Sequence, residues 1–191
     1  CNIGEVITMF AGILMGLPLV MLPVQLLLVN LITDGLPAIA LGMEPTDSRV
    51  MNRPPRKSDE SFFSDGLMFR IVFRGIMIGL CTLGCFTAII GTGADIAAAR
   101  TCALLTLVMS QLIHVFECKS EKGNIFTVPY FNNKKLLLAV LFSAAIIVSA
   151  IWFPPLQAIF ATAALSGKEV LVSLAFSFAI PLINCIFYHG D

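Results

Sequence analysis

Two short stretches hold the residues whose types and spacing could do chemistry. Asn2 and Glu5 stand three positions apart in apolar sequence, so on a helix their side chains share a face. Further on, VNLITDGLP (29–37) sets Asn30, Thr33 and Asp34 at i, i+3 and i+4, with Gly35 and Pro37 directly behind. Pro37 has no N–H to donate, its ring crowds the carbonyl of Thr33, and it disfavours helical geometry at Leu36. The expected result is a helix broken at membrane depth, where irregular backbone lines a cavity and transporters place ion sites. The carboxylate, amide and hydroxyl oxygens of Asn2, Glu5, Asn30, Thr33 and Asp34 suit a hard cation, and calcium takes about 6–8 oxygens at roughly 2.3–2.6 Å. Apart from Cys1 at the start of the sequence, no His or Cys lies near enough in sequence to suggest a soft metal. A polar seam gluing two helices explains the amide and hydroxyl groups, but not an acid on each helix beside a Gly-Leu-Pro break. In a later apolar run, Gln111 lies mid-span with Ser110 beside it and His114 three residues on. Gln111 reads either as interhelical glue or as a ligand, and His114 reads as structural.

The elements that must position these residues follow from composition. Of 191 residues, 58% are hydrophobic and 13% charged, with mean hydropathy +0.92. A soluble domain carries about 25% charged residues, so both a soluble globular domain and a disordered chain are excluded. An integral, multi-pass membrane protein in a lipid bilayer is left. The apolar runs are continuous rather than alternating, which favours helices over a barrel. They predict an all-α bundle of six transmembrane helices. A truncated first helix covers about 1–16, and the others cover about 24–42, 66–90, 94–117, 134–153 and 168–189. The second is expected to be unwound at the ion site. Loops at 43–65 and 118–133 join helices on one side. Pro18 and Pro23 bracket the first turn, Gly91–Gly93 makes another, and Pro154-Pro155 ends the fifth helix. Trp152 and Tyr188 read as interface anchors. No internal repeat is evident.

Net charge is zero, but ten of the 12 Lys and Arg residues fall on one side of this topology; Arg100 and Lys168 lie on the other. The positive-inside rule makes the rich side cytosolic, with the C-terminus there too. The six cysteines form no CxxC and sit mostly in apolar runs, as small buried hydrophobes. The abrupt apolar start at Cys1 suggests a piece of a longer protein. No nucleic-acid partner is expected.

Three stretches carry a resemblance: NIGEV (2–6), LPVQLLLVNLITDGLPAIALG (22–42) and EPTDSRVMNRPPR (44–56), with HVFECKSE (114–121) as a weaker fourth. On these the chain resembles the C-terminal transmembrane half of P-type cation-transporting ATPases of the calcium-pump type, covering the fifth to tenth helices of that family. The resemblance implies that Asn2 and Glu5 are ligands from the fifth helix and Asn30, Thr33 and Asp34 from the unwound sixth. It implies that Gln111 stands where reticulum-type pumps have a glutamate, as an amide like that of plasma-membrane-type pumps. Asn30 stands where sodium/potassium pumps carry an aspartate. The transported ion would be Ca2+, with one or two ions per cycle left open.

The aspartyl-phosphate motif DKTG and a Gly-rich nucleotide loop do not occur in the 191 residues. The resemblance therefore implies that Mg2+ and ATP act in cytosolic domains carried by an N-terminal half of the same chain. That half would also supply the fourth helix as a partner. Arg53, Pro54, Pro55 and Arg56 would form a stiff basic loop that couples to the phosphorylation domain. The short turn at 91–94 leans toward a bacterial cell membrane, since reticulum-type animal pumps carry a long loop there. Two alternatives stay open: a secondary transporter or channel with a midplane carboxylate site, and a pump for manganese or another cation.

Overall fold

Thirteen residues, Asn2–Leu14, form α1. A computed structural model describes residues 2–44, 67–119 and 130–187 of the chain. Helix α1 closes on Gly16, whose φ is +68°, with Leu17 N donating to Gly12 O and Gly16 N to Ile13 O, both at 3.0 Å. This pair of bonds satisfies the last carbonyls and turns the chain sharply. The next helical segment comes in three parts: α2 (Pro23–Asn30), a π-helical turn (Leu31–Gly35) and α3 (Leu36–Gly42). The expected break thus takes the form of one widened turn. Long apolar helices follow as α4 (Leu67–Gly91) and α5 (Ile96–Glu117), then, after a 3-10 turn at Tyr130–Asn132, α6 (Lys134–Trp152). The proline pair that ends α6 also starts a short helix, α7 (Pro154–Phe160), because proline is tolerated in a first turn. The last helix is α8 (Gly167–Phe187).

Helices α4, α5, α6 and α8 are long and apolar enough to cross a membrane, whereas α1 is shorter. The expected coupling loop, with Arg53, Pro54, Pro55 and Arg56, lies outside the described residues.

Helix α5 is the centre, packed on α4 and α8 and touched by α2, α3 and α6. In lipid, helices gain little from apolar burial against each other, so close packing and hydrogen bonds must hold them. Both are present. Helix α1 lies on α4 through Gly4, Gly75 and Gly79: a Cβ at Gly75 would sit 2.5 Å from Ile3 Cγ2, and one at Gly79 would sit 2.7 Å from Ile7 Cγ2. Between α5 and α8, Ser177 Oγ donates to Thr106 O at 3.2 Å. Side chains such as Phe10, Leu27, Leu138 and Leu171 remain exposed around the outside, as a lipid-facing belt requires.

Candidate functional site

Glu5, Asn30 and Gln111 meet, although they come from α1, the end of α2 and α5. Glu5 is 7% exposed. Its Oε2 accepts from Asn30 Nδ2 at 3.1 Å, and its Oε1 accepts from Gln111 Nε2 at 3.1 Å. Asn30 Nδ2 also donates to the Leu26 carbonyl at 3.0 Å. Gln111 is 1% exposed, and its Oε1 is buried without a hydrogen-bond partner. An ionised carboxylate only accepts, so both amides turn their NH2 groups toward it. For Gln111 this strands the carbonyl oxygen, at about 1–3 kcal/mol for a buried unsatisfied atom. Terminal amide torsions are broad and two-fold, so a half-turn exchanges NH2 for C=O. The same three side chains can then offer a carboxylate and two carbonyl oxygens to a cation.

The π turn follows Asn30 without a break. Pairing at i+5 would match the Ile32 carbonyl with Pro37, which has no N–H. A side chain of another helix fills the gap: Ser143 Oγ of α6 donates to Ile32 O at 2.9 Å. The backbone of Thr33 and Asp34 runs through this turn, and their side chains lie outside the described parts of the structure. Asn2 is exposed in the first turn of α1, one turn before Glu5.

The ends of the segments are anchored by amides. Gln25 Nε2 in α2 donates to Ala161 O beyond α7 at 3.1 Å. Asn133, the N-cap of α6, donates through Nδ2 to Ala40 O in α3 and to Glu44 Oε2, both at 2.8 Å. Glu44 also pairs with Lys119 at 3.2 Å.

A family profile described as "Cation transporting ATPase, C-terminus" matches residues 18–187. The chain belongs to this cation-transporting ATPase family. The calcium-transporting ATPase of Bacillus subtilis (strain 168) is 42% identical over 181 residues, which cover 94% of this chain and 20% of the relative. Calcium-transporting ATPase 1 of Bacillus cereus is 38% identical over 203 residues, 96% of this chain and 22% of the relative. The endoplasmic reticulum calcium ATPase srcA of Aspergillus fumigatus is 30% identical over 221 residues, 100% of this chain and 23% of the relative. The chain thus spans about a fifth of the length of these relatives. The family match and the apolar helices identify an integral membrane protein, and the chain as the C-terminal membrane part of a P-type cation ATPase.

One further polar cluster in this member of the family had escaped the reading of the sequence. Glu117, 3% exposed at the end of α5, contacts three side chains among the described residues. His114 Nδ1 lies 3.0 Å and Arg74 Nε of α4 lies 3.8 Å from its Oε2, while Asn184 Nδ2 of α8 donates to Oε2 at 3.2 Å. Glu117 therefore links α4, α5 and α8. The available signal was Arg74, a charge two turns inside an apolar helix, which reads as an ordinary interfacial cation until a buried acid is found beside it.

Proposed function

We propose that this chain is the ion-translocating part of an ATP-driven calcium pump. Glu5, Asn30 and Gln111 would ligate the cation together with Asn2, Thr33 and Asp34. The observation that carries this reading is the pairing of one buried carboxylate with two amides, one of which keeps a stranded carbonyl oxygen. Two acids, Glu5 and Asp34, match the charge of a divalent ion, and neutral oxygens complete a loose shell of the kind calcium accepts. The three relatives are named as calcium pumps, which supports calcium over manganese.

ATP and Mg2+ would act in the part of the protein that this chain does not span. Phosphorylation there would tilt the helices and open the site to the opposite side. The loop with Arg53, Pro54, Pro55 and Arg56 would carry that movement to α3 and α4. We assign the end with Arg70, Lys119, Lys134 and Lys135 to the cytosol by the positive-inside rule, and the short turn after α4 supports a bacterial cell membrane.

The test uses the full-length protein in membranes, with equilibrium binding of radioactive calcium and calcium-dependent phosphorylation from ATP. At about 1.5–3 kcal/mol per charge-assisted contact, Glu5→Gln and Asp34→Asn each weaken calcium binding by roughly tenfold or more, and phosphoenzyme formation collapses. Unchanged calcium affinity in both variants removes the site assignment, and preference for manganese in competition removes the ion assignment.

A further inference from the structure

The end of α5 carries a second ordered set of side chains, apart from the ion site. His114, Glu117 and Cys118 stand at i, i+3 and i+4, hence on one face. Glu117 Oε2 lies 3.0 Å from His114 Nδ1, and His114 Nε2 lies 3.5 Å from Cys118 Sγ. The three groups run outward in order. Glu117 is buried and gripped by Arg74 and Asn184 from α4 and α8, His114 is mostly covered, and Cys118, just past the helix, is exposed. Cys81, Cys85 and Cys102 are buried, where a thiol acts as a small hydrophobe.

The hydrogen-bond chemistry fixes the direction of the relay. An ionised carboxylate only accepts, so His114 carries its proton on Nδ1, and Nε2 faces Cys118 as an acceptor. A base held in the correct tautomer by an acid, with its free nitrogen on a thiol, is the arrangement that activates a sulfur nucleophile. We propose that Cys118 is a reactive thiol, activated by the Glu117–His114 pair, and that its modification by a small disulfide inhibits the pump. The inhibitory half rests on the function proposed above; the reactivity does not.

Partial desolvation raises the Cys118 thiol, and the Glu117 charge adds to this, but the hydrogen bond with His114, the positive charge His114 gains when it takes the thiol proton, and the charge of Arg74 outweigh them and hold the thiol below its ordinary value. In the reaction, Cys118 gives its proton to His114 Nε2, and the thiolate attacks one sulfur of the disulfide. A bond from Sγ to that sulfur forms, the original S–S bond breaks, and the departing thiolate takes up the proton. One disulfide is consumed and one is made, so no outside oxidant is needed. The added group lies against His114 and pushes it off Glu117, loosening the joint of α4, α5 and α8. Gln111 lies two turns back on the same face of α5, so the disturbance reaches the ion site.

The test treats the full-length pump, in native membranes, with glutathione disulfide over a range of pH, and follows each cysteine by peptide mass spectrometry. Cys118 is expected to react about tenfold faster than Cys185, with its rate levelling off at lower pH than an ordinary thiol. His114→Gln slows Cys118 to the rate of an unassisted exposed thiol; if that variant fails to fold, the pH profile of the unaltered pump decides. Calcium-dependent ATP turnover falls several-fold on treatment, recovers with dithiothreitol, and is insensitive in Cys118→Ser. Equal rates at Cys118 and Cys185, or a Cys118 profile like that of a free thiol, overturn the activated thiol. Rapid modification with undiminished turnover overturns the inhibition. A pump that binds no calcium before treatment fails the ion-site reading instead, while the labelling rates still decide the thiol.

Discussion

Glu5 and Gln111 are 106 residues apart in sequence and meet through a hydrogen bond of 3.1 Å, Nε2 to Oε1. This bond fastens the helix carrying the buried acid to the central helix of the bundle. It uses the donor half of an amide whose acceptor half has nothing to bind. Any change at either residue therefore acts on the site electrostatically and on α1 mechanically, and the two effects can be separated.

Replacing Gln111 with Ala removes a donor to Glu5 together with the stranded oxygen. Calcium affinity in the full-length pump is expected to fall about fivefold, near 1 kcal/mol, while the melting temperature changes little because an unsatisfied group leaves as well. Calcium titration of the phosphoenzyme beside a melting curve checks this. A collapsed melting temperature with intact affinity returns Gln111 to interhelical glue.

Ser143→Ala takes away the hydroxyl that serves the Ile32 carbonyl. A buried carbonyl left without a donor costs about 1–3 kcal/mol. Thermal unfolding in detergent should register that loss, and calcium affinity should fall with it because Asn30 borders the same turn. Ser143→Thr keeps the hydroxyl and retains most of both. Equal behaviour of Ala and Thr at this position would show that the carbonyl needs no hydroxyl partner.

Gly75→Ala places a methyl group 2.5 Å from Ile3 Cγ2 and 2.8 Å from Ile3 Cβ. Overpacking of this kind costs about 1–3 kcal/mol and must push α1, and Glu5 with it, away from α4. Trimming the neighbour with Ile3→Ala removes the closer contact, to Cγ2, but leaves the Cβ at 2.8 Å, so the double variant is expected to recover part of the stability and calcium affinity lost in Gly75→Ala alone. Additive losses in that cycle would mean the two helices do not touch there.

The pair Arg53→Ala and Arg56→Ala addresses the coupling loop. Equilibrium calcium binding should stay near normal, while ATP turnover in the same membranes drops several-fold. Parallel loss of both quantities points to misfolding, and loss of neither makes the loop a plain connector.

The membrane helices were legible because lipid demands long apolar runs, and prolines and glycines marked where those runs end. The proline at 37 announced a disturbed helix, but not its form. The form it takes, a π turn, includes a hydrogen bond from the Ser143 hydroxyl, more than a hundred residues away, to the Ile32 carbonyl. Helix α7 was hidden because Pro154-Pro155 reads equally as a stop and as a first turn. At the candidate site, the spacing of Asn2 with Glu5 and of Asn30 with Asp34 showed which faces to consider. The meeting of Glu5 with Asn30 and Gln111 needed the packing of α1 and α5. Glu117 was missed because an acid at a helix end is ordinary, and only the approach of Arg74 and Asn184 from other helices makes it a hub.

The π turn divides one helical segment into two parts with separate moorings, α2 at the Ala161 carbonyl and α3 at Asn133. A turn that closes at i+5 stores one residue more than an α-helical turn, and shifting the helix by one residue moves it about 1.5 Å and rotates it about 100°. In mechanical terms the segment is a shaft with a slip joint. Its ends are clamped to different neighbours, so twist applied at one end is absorbed between Leu31 and Gly35 rather than passed on. Asn30 sits at the edge of that joint, and the backbone of Thr33 and Asp34 runs through it, so a rotation there turns these positions while the outer contacts of α2 and α3 stay closed.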